Sequence, residues 1–283
     1  MTGSPVLPLR PLTIGEVLDT AAVLLRSRWR VLLTMAFVLA TVEQVFMTWL
    51  RMATITEVRP RYLGQIVGNW PTLWAWVVAG LTLEIFIVTL LSGPATRTAT
   101  AAVTGEDPAG LSWWTLTRSQ WGRVAGIAAV IAALGALAAA ACGVPWLVVY
   151  CLFGLAVPAL VADRVSPGTA LLRSPRLFAR SNARTGLIRF LAWWSWQLIR
   201  LAVTCGAVML LQYVDFSTVL FDYFLVVLGI LYVAFNTAAY ALMSCVDAVT
   251  HIEARVRTEG LDIAVNRMRS RGEPIVLKSP EAA

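Results

Sequence analysis

The chain has 283 residues, of which 58% are hydrophobic and only 14% are charged, against about 25% charged residues in an ordinary soluble domain. Its formal net charge is +7, and every basic residue except Lys278 is an arginine. This composition excludes an ordinary soluble domain and predicts one transmembrane domain over residues 1–283.

Six apolar runs are each long enough to cross a bilayer as a helix, which takes about 20 residues. Backbone groups in lipid must be hydrogen-bonded internally, so each run is predicted to be helical. Gly143 and Pro145 separate the third run from the fourth in a tight hairpin, because proline lacks the N–H that continues a helix. The predicted spans are residues 31–50, 73–92, 124–142, 144–162, 187–211 and 219–243, followed by a cytoplasmic tail at 244–283. The predicted fold class is all-α, a polytopic integral membrane protein with six transmembrane helices.

The arginines predict the orientation of the chain. Cytoplasmic segments of membrane proteins carry an excess of Arg and Lys. With a cytoplasmic N-terminus, 19 of the 23 basic residues fall in inner segments, three in outer loops, and Arg200 within a span. We therefore predict a multi-pass protein of the cell inner (plasma) membrane with both termini in the cytoplasm.

The basic inner face is predicted to contact anionic lipid head groups or a partner protein. Its charges are spread along one membrane face, which does not fit nucleic-acid binding. The predicted contact residues are Arg26, Arg28, Arg30, Arg118, Arg123, Arg173, Arg176, Arg180 and Arg184.

Short interfacial helices are predicted on the inner membrane surface. Thr13 and Glu16 have capping-box spacing, which predicts that an amphipathic helix starts at Thr13. Two Ser-Pro pairs, each an N-cap followed by proline in the first turn, predict short helices around residues 169–173 and 176–179. Together with the basic segments and the spans, these helices predict a loose threefold repeat of helical hairpins.

Three charged residues, Glu43, Glu84 and Arg200, fall within the predicted spans. A charge in hydrocarbon is costly, so each marks a functional site or an ion pair. Counted from the inner ends of their spans, Glu43 and Arg200 lie about 18–20 Å deep and Glu84 about 12 Å deep. Glu43 and Arg200 are therefore the better-matched pair. Either this pair fixes the first span against the fifth, or the leftover carboxylate serves a proton or substrate relay.

Residues for catalytic chemistry are sparse. His251 is the only histidine and is predicted to lie at the cytoplasmic surface, without the partners that a Ser–His relay or a metal centre needs. The sequence has no P-loop, no HExxH motif and no Gly-rich dinucleotide loop. The acidic residues after the last span alternate with arginines and predict a salt-bridged surface helix. We expect no enzymatic activity, no catalytic residues, no metal site and no cofactor.

Three segments resemble the bacterial, chiefly actinobacterial, glycerophosphoryl diester phosphodiesterase membrane-domain family. They are Pro-Leu-Thr-Ile-Gly-Glu-Val-Leu-Asp at residues 11–19, residues 158–176 with Ala-Leu-Leu-Arg-Ser at 170–174, and the Arg-x-Arg-x-Glu-Gly-x-Asp pattern at 255–262. The resemblance implies a polytopic helical membrane protein. The family is named for members fused to a soluble phosphodiesterase barrel, which needs about 250 residues, so the enzymatic name is not carried over. Asp163 departs from the family's Glu, and its role is left open.

Two functions are open from the sequence. The first is a non-catalytic scaffold or accessory subunit whose basic face contacts anionic lipids or a partner protein. The alternative is a transporter or permease subunit for a small or lipidic molecule, using Glu43, Glu84 and Arg200. A cavity around these three residues would favour transport, and a dry, fully paired trio would favour the scaffold. Candidate partners are membrane lipids, another membrane or cytoplasmic protein, and a second copy of the chain.

Overall fold

The regular structure of this chain is helical. A computed structural model describes residues 7–55, 70–106, 116–212, 218–275 and 277, and no strand occurs within those ranges. The helices formed by these residues are, in chain order, α1 (Ile14–Ser27), α2 (Trp29–Ile55), α3 (Trp70–Thr104), α4 (Arg118–Cys142), α5 (Val144–Phe153), α6 (Ala156–Ala162), α7 (Pro167–Arg180), α8 (Arg184–Gln212), α9 (Thr218–Glu259) and α10 (Leu261–Ser270). The predicted all-α class is confirmed.

Five helical segments are long and apolar enough to cross a membrane. They are Trp29–Thr54, Trp70–Thr104, Arg118–Cys142, Val144–Ala162 and Tyr223–Glu259. The remaining predicted span corresponds to α8, which has 29 residues and is long enough to cross. Gln197, Arg200 and three tryptophans make α8 less apolar than the other five segments. Six spans and the threefold repeat therefore stay predictions.

The hairpin predicted at Gly143 is confirmed. Gly143 has a φ of +80°, in the left-handed region that favours glycine, and its N–H donates to the Ala139 carbonyl at 3.1 Å. Pro145 lies in the first turn of α5, where its missing N–H leaves no helical bond unmade. The segment predicted as a span at 144–162 is long and apolar enough to cross a membrane, and a turn at Gly154 and Leu155 divides it into α5 and α6.

Two helices run well past the predicted ends of their spans. Helix α3 continues through Pro94 to Thr104, and α9 continues to Glu259 instead of ending at residue 243. These added turns are buried, because Ala99 of α3 and Val249 of α9 pack with residues of α1 in an apolar core. The segment predicted as a tail from residue 244 thus begins as a buried part of α9.

Helix α1 begins with the predicted capping box. The Thr13 hydroxyl accepts from the Glu16 N–H at 3.3 Å, and the Glu16 carboxylate accepts from the Thr13 N–H at 2.7 Å. These bonds from Thr13 and the Arg10 guanidinium lower the pKa of Glu16 to about 2. The apolar face of α1 packs against α9.

The two short helices predicted around residues 169–173 and 176–179 are wrong as separate elements. They form one helix, α7, that contains Pro175. The neighbouring Ser174 hydroxyl donates to the Leu152 carbonyl at 2.5 Å and accepts from the Leu155 N–H at 3.1 Å. These tertiary bonds anchor the middle of α7 against the α5–α6 junction, where a proline could otherwise end the helix.

Candidate functional site

A cavity of about 620 Å³ lies between α2, α3, α8 and α9, and all three predicted intramembrane charges line it. The residues that line it belong to the second half of α2, the first half of α3 and the first half of α9, together with α8. The cavity therefore lies away from the junctions that carry the basic segments. We call the end of the bundle with the α1–α2 and α7–α8 junctions the basic end.

Arg200 pairs with Glu84 and not with Glu43, so the predicted Glu43–Arg200 pair is wrong. Arg200 Nη1 donates to Glu84 Oε2 at 2.7 Å and to Gln197 Oε1 at 3.2 Å. Gln197 Nε2 in turn lies 3.4 Å from the same Glu84 oxygen. Helix α3 continues past residue 92, the predicted inner end of its span, to Thr104. Depths taken from predicted span ends therefore do not show which residues of neighbouring helices lie level with each other.

Glu43 is held by neutral hydrogen-bond donors. The Tyr240 hydroxyl donates to the Glu43 carboxylate, at 2.7 Å from Oε2 and 2.9 Å from Oε1, and Asn236 Nδ2 donates to Oε2 at 3.2 Å. The Arg200 guanidinium lies 5.6 Å from the centroid of the Tyr240 ring. Tyr240 therefore links the Glu43 side of the cavity to the Glu84–Arg200 pair.

Several buried polar atoms of the cavity lining have no hydrogen-bond partner in the protein. Three are acceptors, Gln44 Oε1, Glu84 Oε1 and Asn236 Oδ1, and two are donors, Arg51 Nη1 and Arg200 Nη2. The side chains of Gln44, Glu84 and Asn236 are at most 5% exposed. A buried polar atom without a partner costs about 1–3 kcal/mol, and clusters of such atoms call for an explanation.

Aromatic and apolar side chains form the rest of the cavity wall. The Arg51 guanidinium lies over the Tyr232 ring, 5.9 Å from its centroid, and Trp76 Nε1 donates to Thr54 Oγ1 at 3.0 Å. Further lining residues are Met47, Trp70, Leu73, Val77, Gly80, Leu81, Phe224, Leu225 and Leu228. A largely apolar wall with a few converging polar groups is typical of small-molecule sites.

Gln44, Arg51, Asn236 and Tyr240 are not among the residues predicted for the site, although the spacing of residues along the helices indicates which ones share a face. Residues four apart lie on one helix face, and the cavity lining follows this period on three helices. The three rows are Glu43, Met47 and Arg51; Trp76, Gly80 and Glu84; and Leu228, Tyr232 and Asn236.

A second polar cluster, which we call the ion ring, is buried towards the basic end. Asp163 accepts from Arg173 Nε and from Arg255 Nη1, each at 2.7 Å. Glu259 closes the ring, accepting from Arg173 Nη2 at 2.5 Å and from Arg255 Nε at 2.8 Å. Two carboxylates alternate with two guanidiniums, so the ring is balanced in charge.

His251 lies beside the ion ring and is fully buried, which corrects its predicted place at the surface. Its Nε2 lies 3.2 Å from Asp163 Oδ1. Burial opposes ionisation of Asp163, but His251, Arg255 and Arg173 together hold the pKa of this carboxyl below its ordinary value. Asp163, whose role the sequence left open, is thus the centre of this network.

Another ion pair joins α8 to α9. Arg189 Nη1 donates to Asp247 Oδ1, and the Ser92 hydroxyl donates to Asp247 Oδ2 at 2.9 Å. The Arg189 guanidinium also lies 4.3 Å from the centroid of the Tyr150 ring. Asp247 and Glu253 are buried, so the helix after the last span is salt-bridged as predicted, but the prediction that it is exposed is wrong for this part of α9.

The arginines predicted to contact lipid head groups divide by exposure. Those with exposed side chains are Arg26, Arg30, Arg118, Arg123, Arg176 and Arg180. Arg184 is half-buried and donates to the Leu12 carbonyl at 2.5 Å. Arg28 and Arg173 are buried, so the prediction is wrong for these two, because a buried guanidinium cannot reach a head group. Burial and the neighbouring Arg97 guanidinium lower the pKa of Arg28.

The three sequence segments that carry the family resemblance meet in this region. Asp163 and Arg173 of the middle segment bind Arg255 and Glu259 of the last segment. Arg257 of the last segment donates to the Leu12 carbonyl of the first segment at 3.2 Å. Among the described residues, no group of three or more His, Cys, Asp or Glu side chains is placed to hold a metal ion.

Comparison with protein-family models, curated proteins and solved structures gives no match to this chain. The family resemblance therefore stays a prediction.

Proposed function

We propose that this membrane protein binds a small amphipathic or lipidic molecule in the cavity between α2, α3, α8 and α9, as a transporter or permease subunit. The observation that carries the proposal is the convergence of Glu43, Glu84 and Arg200 on one cavity of about 620 Å³. That volume falls within the range of small-molecule sites, about 300–1,000 Å³.

The polar lining supports a ligand more strongly than a structural role. Unpaired polar groups are costly in low dielectric, so five unpartnered atoms around one cavity favour a ligand over a purely structural ion pair. Here Glu84 and Arg200 are paired to each other, yet each keeps one buried atom without a protein partner. A ligand that hydrogen-bonds to these atoms would remove that cost.

The predicted orientation places the ligand in the outer half of the membrane. If the basic end faces the cytoplasm, Arg51 and Trp70 lie towards the outer surface, and the charged floor of the cavity lies deeper. A molecule from the outer leaflet or the outer aqueous phase would then meet Arg51 first and Glu43 last. Such a site suits uptake or transfer of an amphipathic molecule across the inner membrane.

The proposal is tested by filling the cavity. Gly80 lines it, and a Cβ at this position meets only the flexible end of Met47, at 3.8 Å. Gly80→Leu should therefore fold and occupy part of the ligand volume. Gly126→Leu is the matched control, because Gly126 is an exposed helical glycine with no atom within 4 Å of a new Cβ.

Mass spectrometry of molecules that co-purify in mild detergent gives the measurement. We expect an amphiphile near one per protein in the wild type and in Gly126→Leu, and a loss of at least tenfold in Gly80→Leu. The same bound molecules at the same stoichiometry in all three proteins would contradict a ligand in this cavity.

The scaffold function is the second candidate, favoured by the six exposed arginines around the basic end. Their charge would attract anionic head groups or an acidic surface of a partner. A scaffold would retain its partner in Gly80→Leu and lose it when Arg26, Arg118 and Arg180 are changed to Gln. A cavity-dependent function would show the opposite pattern.

A further inference from the structure

We propose that the ligand is a zwitterion, which carries a cation with N–H donors and an anionic oxygen group in one head group on an apolar body. This inference deepens the proposed function and rests on it. It follows from the charges and the unpartnered atoms of the cavity lining.

The charges of the lining balance one another. Two acidic side chains, Glu43 and Glu84, and two basic ones, Arg51 and Arg200, line the cavity. A ligand with a net charge would add an uncompensated charge to a site surrounded by apolar side chains, which is unfavourable. A zwitterion brings two charges of opposite sign and keeps the balance.

The unpartnered atoms of the lining include both hydrogen-bond acceptors and hydrogen-bond donors, so the ligand needs groups that donate and groups that accept. Gln44 Oε1, Glu84 Oε1 and Asn236 Oδ1 can only accept, whereas Arg51 Nη1 and Arg200 Nη2 can only donate. A purely cationic ligand would leave the guanidinium donors unpaired, and a purely anionic one would leave the three acceptors unpaired. A primary ammonium offers three N–H donors, and a phosphate or carboxylate accepts from guanidinium groups. A ligand with both groups can satisfy all five atoms and keeps the charges of the lining balanced.

The rest of the wall indicates an apolar body. Leu73, Val77, Leu225 and Leu228 line the cavity beside the polar groups. A cavity of about 620 Å³ suits a head group with part of one acyl chain. The same chemistry is found in membrane lipids with an ammonium head group and in water-soluble zwitterions with an apolar side chain, and the experiment separates the two sources.

The test is competition binding with probes that share one chain length. Purified full-length protein in maltoside detergent is saturated with labelled palmitoyl lysophosphatidylethanolamine, whose head group has both charges and three N–H donors. The competitors are lysophosphatidylcholine, a zwitterion without N–H donors; lysophosphatidic acid, an anion; hexadecylamine, a cation; and monopalmitoylglycerol, which is uncharged. Tail-free phosphoethanolamine reports whether the apolar body contributes.

We expect unlabelled lysophosphatidylethanolamine to compete at least about tenfold better than the other four lipids, because each of them leaves at least one buried polar atom unpaired. In Arg51→Gln, which leaves the Glu84–Arg200 pair intact, the advantage over hexadecylamine should fall about tenfold. Gly126→Leu should match the wild type.

The outcomes separate the two proposals. Equal competition by hexadecylamine, lysophosphatidic acid or monopalmitoylglycerol would overturn the zwitterion while leaving a cavity ligand in place. Equal competition by lysophosphatidylcholine would overturn the requirement for N–H donors. Competition by phosphoethanolamine as strong as by its lipid form would support the zwitterionic group, assign the ligand to the aqueous phase and overturn the apolar body. Probe binding that is unsaturable and unchanged in Gly80→Leu would overturn the proposed function as well.

Discussion

At the scale of single residues, the Glu84–Arg200 ion pair and the separately bonded Glu43 carboxylate define the polar part of the cavity. Glu43, Glu84 and Arg200 stand out because charged residues are rare in apolar runs, and all three line the cavity. Which carboxylate meets the guanidinium depends on where each helix ends and how it is rotated, and neither is visible from composition. Arg200 thus pairs with Glu84 of α3 and not with Glu43 of α2, the partner that depth alone favoured.

A double-mutant cycle tests this pairing. Glu84→Gln or Arg200→Gln alone leaves a buried charge without its counter-charge, which should destabilise the protein by about 3–5 kcal/mol. The double variant removes both charges and should be more stable than either single variant. Unfolding in mixed detergent gives the free energies.

The matched control for this cycle is Glu43→Gln with Arg200→Gln, where we expect a smaller coupling energy because Glu43 is bonded to Tyr240 and Asn236 and meets Arg200 only through the Tyr240 ring. Additive effects for Glu84 and Arg200 would contradict the pair.

The ion ring makes a second prediction at this scale. Asp163→Asn removes the carboxylate that binds both Arg173 and Arg255, so we expect a loss of about 3–5 kcal/mol in the free energy of unfolding. The control is Glu106→Gln, which breaks an exposed ion pair with Arg97 and should cost at most about 1 kcal/mol. Thermal unfolding followed by size-exclusion chromatography reports both.

The pH dependence of the Asp163 contribution has a definite sign. The pKa of Asp163 in the folded protein is lowered from its ordinary value of 3.8. Its stabilising effect is therefore fully present above that value and is lost as the pH falls through the lower, folded pKa. The stability difference between wild type and Asp163→Asn should shrink as the pH falls below about 4. A difference that grows on acidification would contradict the ring.

At the scale of helices, the sequence predicted where apolar runs lie better than where helices end. The sequence predicts the helix cap at Thr13 and the turn at Gly143, because side-chain caps and positive φ angles require particular residues. The sequence does not predict that α3 continues through Pro94 or that α9 continues to Glu259. Buried tertiary contacts stabilise these helical turns, although their sequence is polar or contains proline.

The junction of α5 and α6 provides a prediction at this scale. A Cβ at Gly154 would lie 1.7 Å from Arg189 Cζ, so Gly154→Ala must displace the guanidinium that binds Asp247. We expect a loss of about 3–5 kcal/mol, the cost of breaking a buried ion pair. Gly126→Ala, at an open helical position, should instead stabilise by about 0.5–1 kcal/mol. Equal stability of the two variants, measured by thermal unfolding, would contradict the close approach at Gly154.

At the scale of the whole molecule, two polar regions occupy different parts of the bundle. The ion ring and the Arg189–Asp247 pair lie where α1, α7, α8 and the end of α9 meet, and their charges are paired within the protein. Buried polar atoms without protein partners occur in both regions, among them Arg189 Nε and His251 Nδ1 in the first, but those of the second line a cavity of about 620 Å³. We infer that the first region holds the helices together and that the second binds a ligand.

A cryo-electron microscopy map of the wild-type protein in lipid nanodiscs tests the ligand-binding cavity most directly. We predict elongated density between α2, α3, α8 and α9, with one end within hydrogen-bonding distance of Glu84 and Arg200 and the remainder beside Leu225 and Leu228. A closed cavity in which Gln44, Arg51, Glu84, Arg200 and Asn236 bond only to one another would contradict it.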